Sequence, residues 1–300
     1  MSTRGGQIGA IPRIDTEGVR EAWVLHRGAL GDSVLTWPVL RHLVRSGVET
    51  TFVADLAKAE LASACVGVRA MSAEAPEMIA LWREGGSLRG RPGAGLVLDY
   101  EHGASQARDA RVKRMFPRAR VIAMPQARGG ETLRAFIEAH PLAQAETRES
   151  EGEETSGGAI VLHVGAGSDA KRWAMANWCE LHERLCDEGA GVVAIAGEVE
   201  RERFSRTDAG FFQRMGGRWV ETLEELREIV GGARAFVGND SGPTHLAAQM
   251  GVATVALFGA TDARAWAPVG PSVRVVGRLG AWGAWGSVDE VARELSAMMP

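Results

Sequence analysis

The sequence predicts an α/β protein with two doubly wound halves, each built around a parallel sheet. Short apolar strands alternate with amphipathic helices along most of the 300 residues, which favours parallel sheets covered by helices on both faces. Residues 144–158 interrupt this alternation, because they are acidic, rich in glycine and poor in apolar side chains, a composition typical of linkers. We therefore expect two Rossmann-like domains, over residues 1–150 and 151–300.

The hydrophobic pattern predicts the individual elements in order. Residues 1–20 indicate a disordered or loosely attached tail, and a helix is expected from about Ser33 to Ser46 because its apolar residues share one face. Thr222 is predicted to cap a later helix, with Glu225 completing a capping box. The predicted strands are 22–25, 50–54, 96–99, 121–123, 159–164, 191–196, 233–237 and 252–258, and the further predicted helices are 178–187, 222–230 and 288–298.

Composition argues against several classes of function. The formal net charge of −4 gives no reason to expect a nucleic-acid partner, and no apolar run approaches the roughly 18 residues that cross a bilayer. The first 20 residues are charged and lack the apolar centre of a signal peptide, so we expect a cytoplasmic protein. No two aspartates stand two positions apart, and histidines and cysteines do not cluster, so no metal site is predicted.

The most informative stretch is 236–246, Phe-Val-Gly-Asn-Asp-Ser-Gly-Pro-Thr-His-Leu. An apolar strand stops at a glycine, and a helix follows in which Ser241 is the predicted N-cap and Pro243 lies in the first turn. Free backbone N–H groups and the positive end of the helix dipole suit a phosphate there, and Asp240 and His245 flank this point. The alternative is an ordinary strand-to-helix turn.

Polar residues also follow three other predicted strands. Asp32 comes after a turn with two glycines, and it is either a helix N-cap or a general base. Lys171 follows a run of small residues, and it is either a solvated lysine or a point charge that neutralises a diphosphate. Glu198 and Glu200 stand where a carboxylate either binds ribose hydroxyls or begins a solvated helix.

Three motifs together resemble the heptosyltransferase family (glycosyltransferase family 9), which builds the inner core of lipopolysaccharide. They are Arg-Gly-Ala-Leu-Gly-Asp at 27–32, Gly-Ala-Gly-Ser followed by Lys-Arg-Trp within 165–173, and Val-Gly-Asn-Asp-Ser-Gly followed by His-Leu-Ala within 237–247. The resemblance extends over about 23–46, 94–102 and 159–270. One departure is Ala174, where the family usually has a proline.

The resemblance implies a GT-B fold, in which two Rossmann-like domains face each other across a cleft. The first domain would bind the acceptor and the second the nucleotide sugar. The implied reaction is inverting transfer of a heptose from a donor similar to ADP-heptose to a hydroxyl of a saccharide or glycolipid acceptor, without a cofactor or metal. Asp32 is then the base that deprotonates the acceptor hydroxyl, and Arg27 and Gly31 of the same motif contact the acceptor.

The same resemblance implies a donor site in the second half. Lys171 would contact the diphosphate, and Asp240 would hold sugar hydroxyls. The residues expected to bind the donor are Gly167, Ser168, Lys171, Glu200, Asp240, Ser241, Gly242 and His245. Two alternative functions are a non-catalytic relative that binds nucleotide sugars or glycans, and an epimerase of nucleotide sugars on the same fold.

A basic stretch in the first half contains a single acidic residue, Asp109. The usual explanation is a solvated face, and the alternative is a surface for an anionic acceptor or for a peripheral contact with the anionic inner face of the inner membrane. The basic residues are Arg108, Arg111, Lys113, Arg114, Arg118, Arg120 and Arg128.

Overall fold

The chain divides into two α/β units. The structure is a computed structural model that describes residues 11–83, 90, 93–125, 130–146, 158–277 and 284–299. Unit 1 comprises Met1–Gly28 and Thr36–Ala143, and unit 2 comprises Ala29–Leu35 and Gln144–Pro300. Most of the predicted linker, residues 147–157, lies outside the described residues, so the predicted boundary between 150 and 151 stays a prediction.

The first half of the chain supplies five strands and six helices to the described structure. The strands are β1 (Glu21–Leu25), β2 (Glu49–Ala54), β3 (Arg69–Ser72), β4 (Leu96–Asp99) and β5 (Arg120–Ala123). The helices are α1 (Leu30–Val34), α2 (Trp37–Arg45), α3 (Leu56–Val66), α4 (Pro76–Ile79), α5 (Gln106–Met115) and α6 (Gly130–Ala139), and a 3₁₀ turn covers Pro141–Ala143.

The sheet of unit 1 is parallel, with strand order β3-β2-β1-β4-β5. Strand β1 lies at the centre because its apolar residues 22–25 are buried, as expected for a strand covered by helices on both faces. Trp23 packs against Phe116, with ring centroids 5.3 Å apart. Strands β2 and β3 follow one another on one side of β1, and β4 and β5 follow one another on the other side. The switch point of this doubly wound fold therefore lies between β1 and β4.

The predicted single helix over 33–46 is wrong. Helix α1 begins earlier, at Leu30, and a separate helix α2 begins at Trp37 with Pro38 in its first turn. Proline lacks the N–H that a continuous helix would need, and it is well tolerated at the start of a new one. The two helices also belong to different units, α1 to unit 2 and α2 to unit 1.

The part of the predicted N-terminal tail that the structure describes is anchored rather than loose. Ile14 is buried, its backbone N–H donates to Nε2 of His140, and its carbonyl lies 3.2 Å from Nε2 of His42. Because Nε2 of His140 accepts this bond, the ring donates from Nδ1 to the carbonyl of Phe136. Residues 1–10 lie outside the described residues.

Six strands and seven helices of the described structure come from the second half of the chain. The strands are β6 (Ile160–His163), β7 (Val192–Ala196), β8 (Arg218–Trp219), β9 (Ala235–Asn239), β10 (Ala253–Leu257) and β11 (Val273–Val276). The helices are α7 (Met175–Asp187), α8 (Glu198–Arg203), α9 (Arg206–Arg214), α10 (Leu223–Gly231), α11 (Gly242–Gln249), α12 (Ala263–Trp266) and α13 (Val288–Ser296), and a 3₁₀ turn covers Asp169–Lys171.

The sheet of unit 2 has the strand order β11-β10-β9-β6-β7-β8 with parallel pairing. From the other edge the strands run third, second, first, fourth, fifth, sixth, which is the order of a dinucleotide-binding sheet. The switch point lies between β6 and β9. The predicted fold class, two doubly wound α/β parts with parallel sheets, is therefore confirmed. Among the described helices, none combines the length and the apolar character needed to span a bilayer.

At helix α10 the predicted N-cap, Thr222, is confirmed, but the predicted capping box is wrong. The Thr222 side chain accepts a hydrogen bond from the Glu225 N–H, as predicted. The Glu225 carboxylate does not return to the Thr222 N–H. It accepts instead from the Glu221 N–H and from Arg218. The charged guanidinium is a strong donor and holds one carboxylate oxygen away from Thr222.

A buried ion pair lies at the carboxyl end of β4. Asp99 is fully buried and Arg108 is 3% exposed. The guanidinium of Arg108 donates from Nη1 to Oδ2 at 2.6 Å and from Nη2 to Oδ1 at 2.9 Å. This two-point geometry offsets the cost of removing both charges from water only while both partners are present.

We expect Asp99→Asn to lower the free energy of unfolding by about 3–5 kcal/mol, because it removes the two-point partner of the buried Arg108 guanidinium and leaves only the Asp109 carboxylate, at 3.8 Å, as a counterion. Urea denaturation of the purified protein measures this. Asp289→Asn is the matched control, since Asp289 pairs with Arg184 at 2.7 Å on the exposed surface and such pairs contribute little. Equal effects of the two substitutions would contradict the importance of the buried pair.

Candidate functional site

The candidate site lies at the carboxyl ends of three neighbouring strands of unit 2. The loop after β6 carries Lys171, the turn after β9 carries Asp240, and the turn after β10 carries Thr261. Since β6 and β9 flank the switch point, this is where a doubly wound sheet leaves room for a ligand.

Asp240 is the centre of the site. It is 6% exposed, and its Oδ2 accepts hydrogen bonds from Nζ of Lys171 at 2.8 Å and from the Thr261 hydroxyl at 2.7 Å. Nε2 of His245 lies 3.8 Å from the other oxygen, Oδ1, which is beyond hydrogen-bond distance but within electrostatic range. The interpretation of Lys171 as a solvated lysine is therefore wrong, since its ammonium is paired.

The ionisation of Asp240 reflects opposing effects. Burial raises the pKa of this carboxyl, but the His245 ring, the Lys171 ammonium and the Thr261 hydroxyl outweigh burial and lower the pKa to about 2. Asp240 is thus a carboxylate throughout the neutral range. A buried carboxylate with fixed orientation can accept hydrogen bonds from ligand hydroxyls.

The backbone that carries Lys171 is fixed by its neighbour Arg172. The Arg172 guanidinium lies 3.2 Å from Asp169, 3.6 Å from Asp208 and 5.3 Å from the centre of the Phe204 ring. Lys171 itself is half-buried, with 33% of its side chain exposed. The backbone of Lys171 is therefore held in place, while its ammonium at the tip of the side chain is partly exposed.

Asn239, which sequence reasoning missed, ties the loop after β6 to β9. Its amide donates to the carbonyls of Val164 and Gly165, and its Oδ1 accepts from the Trp173 N–H at 3.0 Å. Asn239 is fully buried. Its position at the end of a strand, directly before Asp240, indicated a residue near the site. Only the fold shows that its hydrogen-bond partners lie about 70 residues upstream.

Ser241 is the N-cap residue of α11, as predicted, but its hydroxyl does not cap the helix. The Thr244 hydroxyl donates to the Asn239 carbonyl at 2.6 Å, so Ser241 must donate to Thr244 and accept from Nδ1 of His163. Burial lowers the pKa of His163 to about 4. His163 is therefore neutral at pH 7 and carries its proton on Nδ1.

Glu200 is buried rather than part of a solvated helix start. Its Oε1 accepts from the Ala166 N–H at 3.1 Å and its Oε2 from the Gly197 N–H at 3.0 Å. It thereby joins the loops after β6 and β7. The expected contact with ribose stays a prediction. It would use the lone pairs of the Glu200 carboxylate that do not accept from these two N–H groups.

The other donor-binding candidates lie around this centre. Gly167 and Ser168 are exposed in the loop after β6, and the carbonyl of Gly167 accepts from Arg203. Ser168 is the N-cap of the Asp169–Lys171 turn, without a side-chain bond to it. Gly242 is the first residue of α11. Their contacts with a donor stay predictions.

Asp32 lies in the first turn of α1, which packs against α11 within unit 2. It is not the N-cap, because the helix starts at Leu30 and Ala29 holds the N-cap position. Gly31 packs closely against Gly242 and His245 of α11. A Cβ placed on Gly31 would already be in van der Waals contact, 3.5 Å from atoms of each. Asp32 is half-buried, and among the described residues its carboxylate makes no hydrogen bond or ion pair. It is thus available as a base.

The two residues expected to contact an acceptor lie in different units. Gly31 packs against α11 of unit 2, whereas Arg27 belongs to unit 1. The Arg27 guanidinium lies 5.1 Å from the centre of the Trp82 ring, and its backbone N–H donates to Glu101. Acceptor contacts by Arg27 and Gly31 stay predictions.

The basic stretch is only partly a surface. Arg108 does not belong to it, because this side chain is buried against Asp99. Arg111 donates to the carbonyl of Leu81 and Arg120 to the carbonyl of Asp15. Lys113, Arg114, Arg118 and also Arg120 are exposed, and Arg128 lies outside the described residues.

One cluster in unit 1 has metal-ligand chemistry, which the sequence spacing did not indicate. Ligand atoms of Asp99, His102 and Asp109 lie within 4.8 Å of one another. However, Arg108 binds both oxygens of Asp99 and lies 3.8 Å from Asp109. A guanidinium in the middle of the cluster already neutralises the carboxylates and opposes a second cation.

Comparison with known proteins relates this chain to one family. The sequence pattern of glycosyltransferase family 9 (heptosyltransferase) matches residues 119–284, more than half of the chain. Lipopolysaccharide heptosyltransferase 1 of Pseudomonas aeruginosa is 40% identical over 93 residues, which are 31% of this chain and 26% of the relative. Lipooligosaccharide heptosyltransferase 2 of Haemophilus influenzae is 25% identical over 165 residues, 51% of this chain and 47% of the relative.

These matches span between about a quarter and a half of the curated relatives. The structural likeness is more extensive. The ADP-heptose lipopolysaccharide heptosyltransferase II of E. coli has a TM-score of 0.63 at 18% identity, covering 93% of this chain and 98% of the other. At this identity the likeness shows the fold, which is the GT-B fold that the sequence motifs imply.

We expect Gly242→Ala to disturb the contact between α1 and α11. A Cβ there would lie 2.9 Å from Cβ and Cγ of Leu30 and 3.0 Å from the Gly31 nitrogen, so the helices must separate. The free energy of unfolding should fall by about 1–3 kcal/mol. Gly210→Ala is the control, because a Cβ at Gly210 meets open space within the described structure. Gly210 is an exposed position of helix α9, where alanine is a better helix former than glycine. Urea denaturation that shows no difference between them would overturn this account.

The low pKa of His163 predicts acid sensitivity. The unfolded chain takes up a proton near pH 6.5 but the folded protein only near pH 4, so the free energy of unfolding falls as the pH decreases from 6.5 to 4. From pH 7 to pH 5 this residue contributes a loss of about 2 kcal/mol. His163→Gln should reduce the fall between these pH values by that amount. Urea titrations at both pH values measure it, and identical falls for variant and wild type would refute the assignment.

Proposed function

Because the chain belongs to glycosyltransferase family 9, the heptosyltransferase family, we propose that it transfers a heptose from ADP-heptose to a hydroxyl of a saccharide acceptor, such as the inner core of lipopolysaccharide. The E. coli structural relative is named for ADP-heptose, and the curated relatives are named for lipopolysaccharide or lipooligosaccharide heptosyl transfer.

One observation carries the proposal more than any other. A buried carboxylate, Asp240, and a partly exposed ammonium, Lys171, lie 2.8 Å apart at the switch point of the sheet. The carboxylate offers acceptors for sugar hydroxyls, while the ammonium and the start of α11 offer positive charge for a diphosphate. A nucleotide sugar presents both chemical groups next to each other.

The chemistry follows from these parts. Asp32 takes the proton of the acceptor hydroxyl, and the oxygen attacks the anomeric carbon from the side opposite the diphosphate. The bond from that carbon to the diphosphate oxygen breaks, and ADP leaves with the electron pair. Lys171 and the first turn of α11 stabilise the growing negative charge. Attack from the opposite side inverts the anomeric configuration.

Asp32→Asn tests this mechanism directly. We expect kcat for heptose transfer to fall by about 10²–10⁴-fold, since the general base is lost, while the affinity for ADP-heptose stays within about twofold because other side chains are assigned to the donor. Asp55→Asn is the matched control, because Asp55 holds an exposed N-cap position after β2, and it should retain full activity.

The assay incubates the protein with ADP-heptose and a panel of inner-core saccharides, and it follows ADP release and the mass of the acceptor. Unchanged turnover in Asp32→Asn would remove Asp32 from its role. Binding of ADP-heptose by the wild type without transfer to any saccharide would favour a non-catalytic relative. A change of stereochemistry in the nucleotide sugar itself would favour an epimerase.

A further inference from the structure

Oδ2 of Asp240 is held by two donors of different character. Lys171 supplies a charged ammonium on a flexible side chain that is 33% exposed. Thr261 supplies a neutral hydroxyl at 2.7 Å from the turn after β10. The first donor is free to change partner, whereas the second is attached directly to the backbone by a short side chain.

The turn that carries Thr261 is well anchored. Asp262, the next residue, is the N-cap of α12 and accepts a hydrogen bond from the Arg264 N–H. On the other side, the Asp240 N–H donates to the carbonyl of Leu257, the last residue of β10. The two turns are therefore held together independently of Lys171.

A bound diphosphate changes the balance between these two donors. It carries more negative charge than one carboxylate, so the ammonium of Lys171 moves towards it or is shared with it. A neutral hydroxyl has no comparable attraction to the diphosphate and remains on Asp240. Without it, the carboxylate would be free to rotate with the departing ammonium.

We propose that Thr261 is a positioning residue for recognition of the transferred sugar. Its hydroxyl keeps Oδ2 of Asp240 in place when Lys171 engages the diphosphate, so that Oδ1 is presented to a sugar hydroxyl. This inference rests on the proposed function, because it takes the ligand to be a nucleotide diphosphate sugar.

Thr261→Val tests the proposal, because valine has nearly the same shape and lacks the donor. The measured quantity is the ratio of the dissociation constants for ADP and ADP-heptose, obtained by calorimetry. Since ADP lacks the sugar, its affinity should be unchanged, whereas the affinity for ADP-heptose should fall about tenfold, as expected for the loss of one hydrogen bond to a charged group. Thr261→Ser retains the hydroxyl and should restore the wild-type ratio.

Thr254→Val is the matched control. Thr254 is a buried threonine on β10 whose hydroxyl donates to the carbonyl of Val252, so it reports a purely structural loss. Its substitution should leave the ratio unchanged. In an Asp240→Asn background, Thr261→Val should have no further effect on the ratio, because both changes act through the same carboxylate.

The outcomes separate the inference from the proposed function. If the wild type binds neither ADP nor ADP-heptose, the proposed function fails. If the wild type binds both and Thr261→Val keeps the wild-type ratio, or weakens both ligands equally, the positioning role is overturned. Should Thr261→Val not fold, Thr261→Ala and Thr261→Ser give the same comparison of a lost and a retained hydroxyl.

Discussion

The amide of Asn239 is the interaction on which the candidate site depends. It binds two carbonyls at the start of the loop after β6 and the backbone N–H of Trp173 at its end. The loop is thereby held across the switch point against β9, and Lys171 is brought within reach of Asp240. All three bonds are buried, so losing the amide would leave several buried polar groups without partners.

Charge in the site is balanced in a way that suits a ligand with an anionic and a hydroxyl-rich part. Asp240 and Lys171 neutralise each other. The neutral His163 is hydrogen-bonded to the Ser241 hydroxyl, which is in turn hydrogen-bonded to Thr244. Glu200 is satisfied by backbone amides. The ion pair is therefore the part of this network that offers a ligand both a cation and an anion.

Much of this arrangement is present in the local sequence, and the rest depends on long-range contacts. The alternation of strands and helices predicts both sheets, because a buried parallel strand is a short apolar run whatever surrounds it. The turn at Asp240 is also recognisable, since glycine, a carboxylate and proline follow one strand directly. By contrast, the partners of Asn239 and the pairing of Thr261 with Asp240 join loops that are far apart in sequence.

Other errors have local causes. The prediction of one helix over 33–46 rests on apolar periodicity and gives little weight to Pro38. It made an N-cap one of the two interpretations of Asp32, but the helix begins at Leu30 and Ala29 is its N-cap. Arg108 looked like part of a charged surface because its neighbours are basic, but its carboxylate partner lies on β4. Composition alone does not distinguish a solvated arginine from a buried one.

Helix α1 has a consequence for how the chain acquires its structure during synthesis. This five-residue helix is translated before α11, yet its glycine contact with α11 involves residues about two hundred positions later, a separation for which loop closure is costly. A helix of one turn is not stable by itself. The segment Ala29–Leu35 must therefore wait until most of unit 2 has been translated, and unit 2 expressed from Gln144 onwards would lack one of its own packing elements.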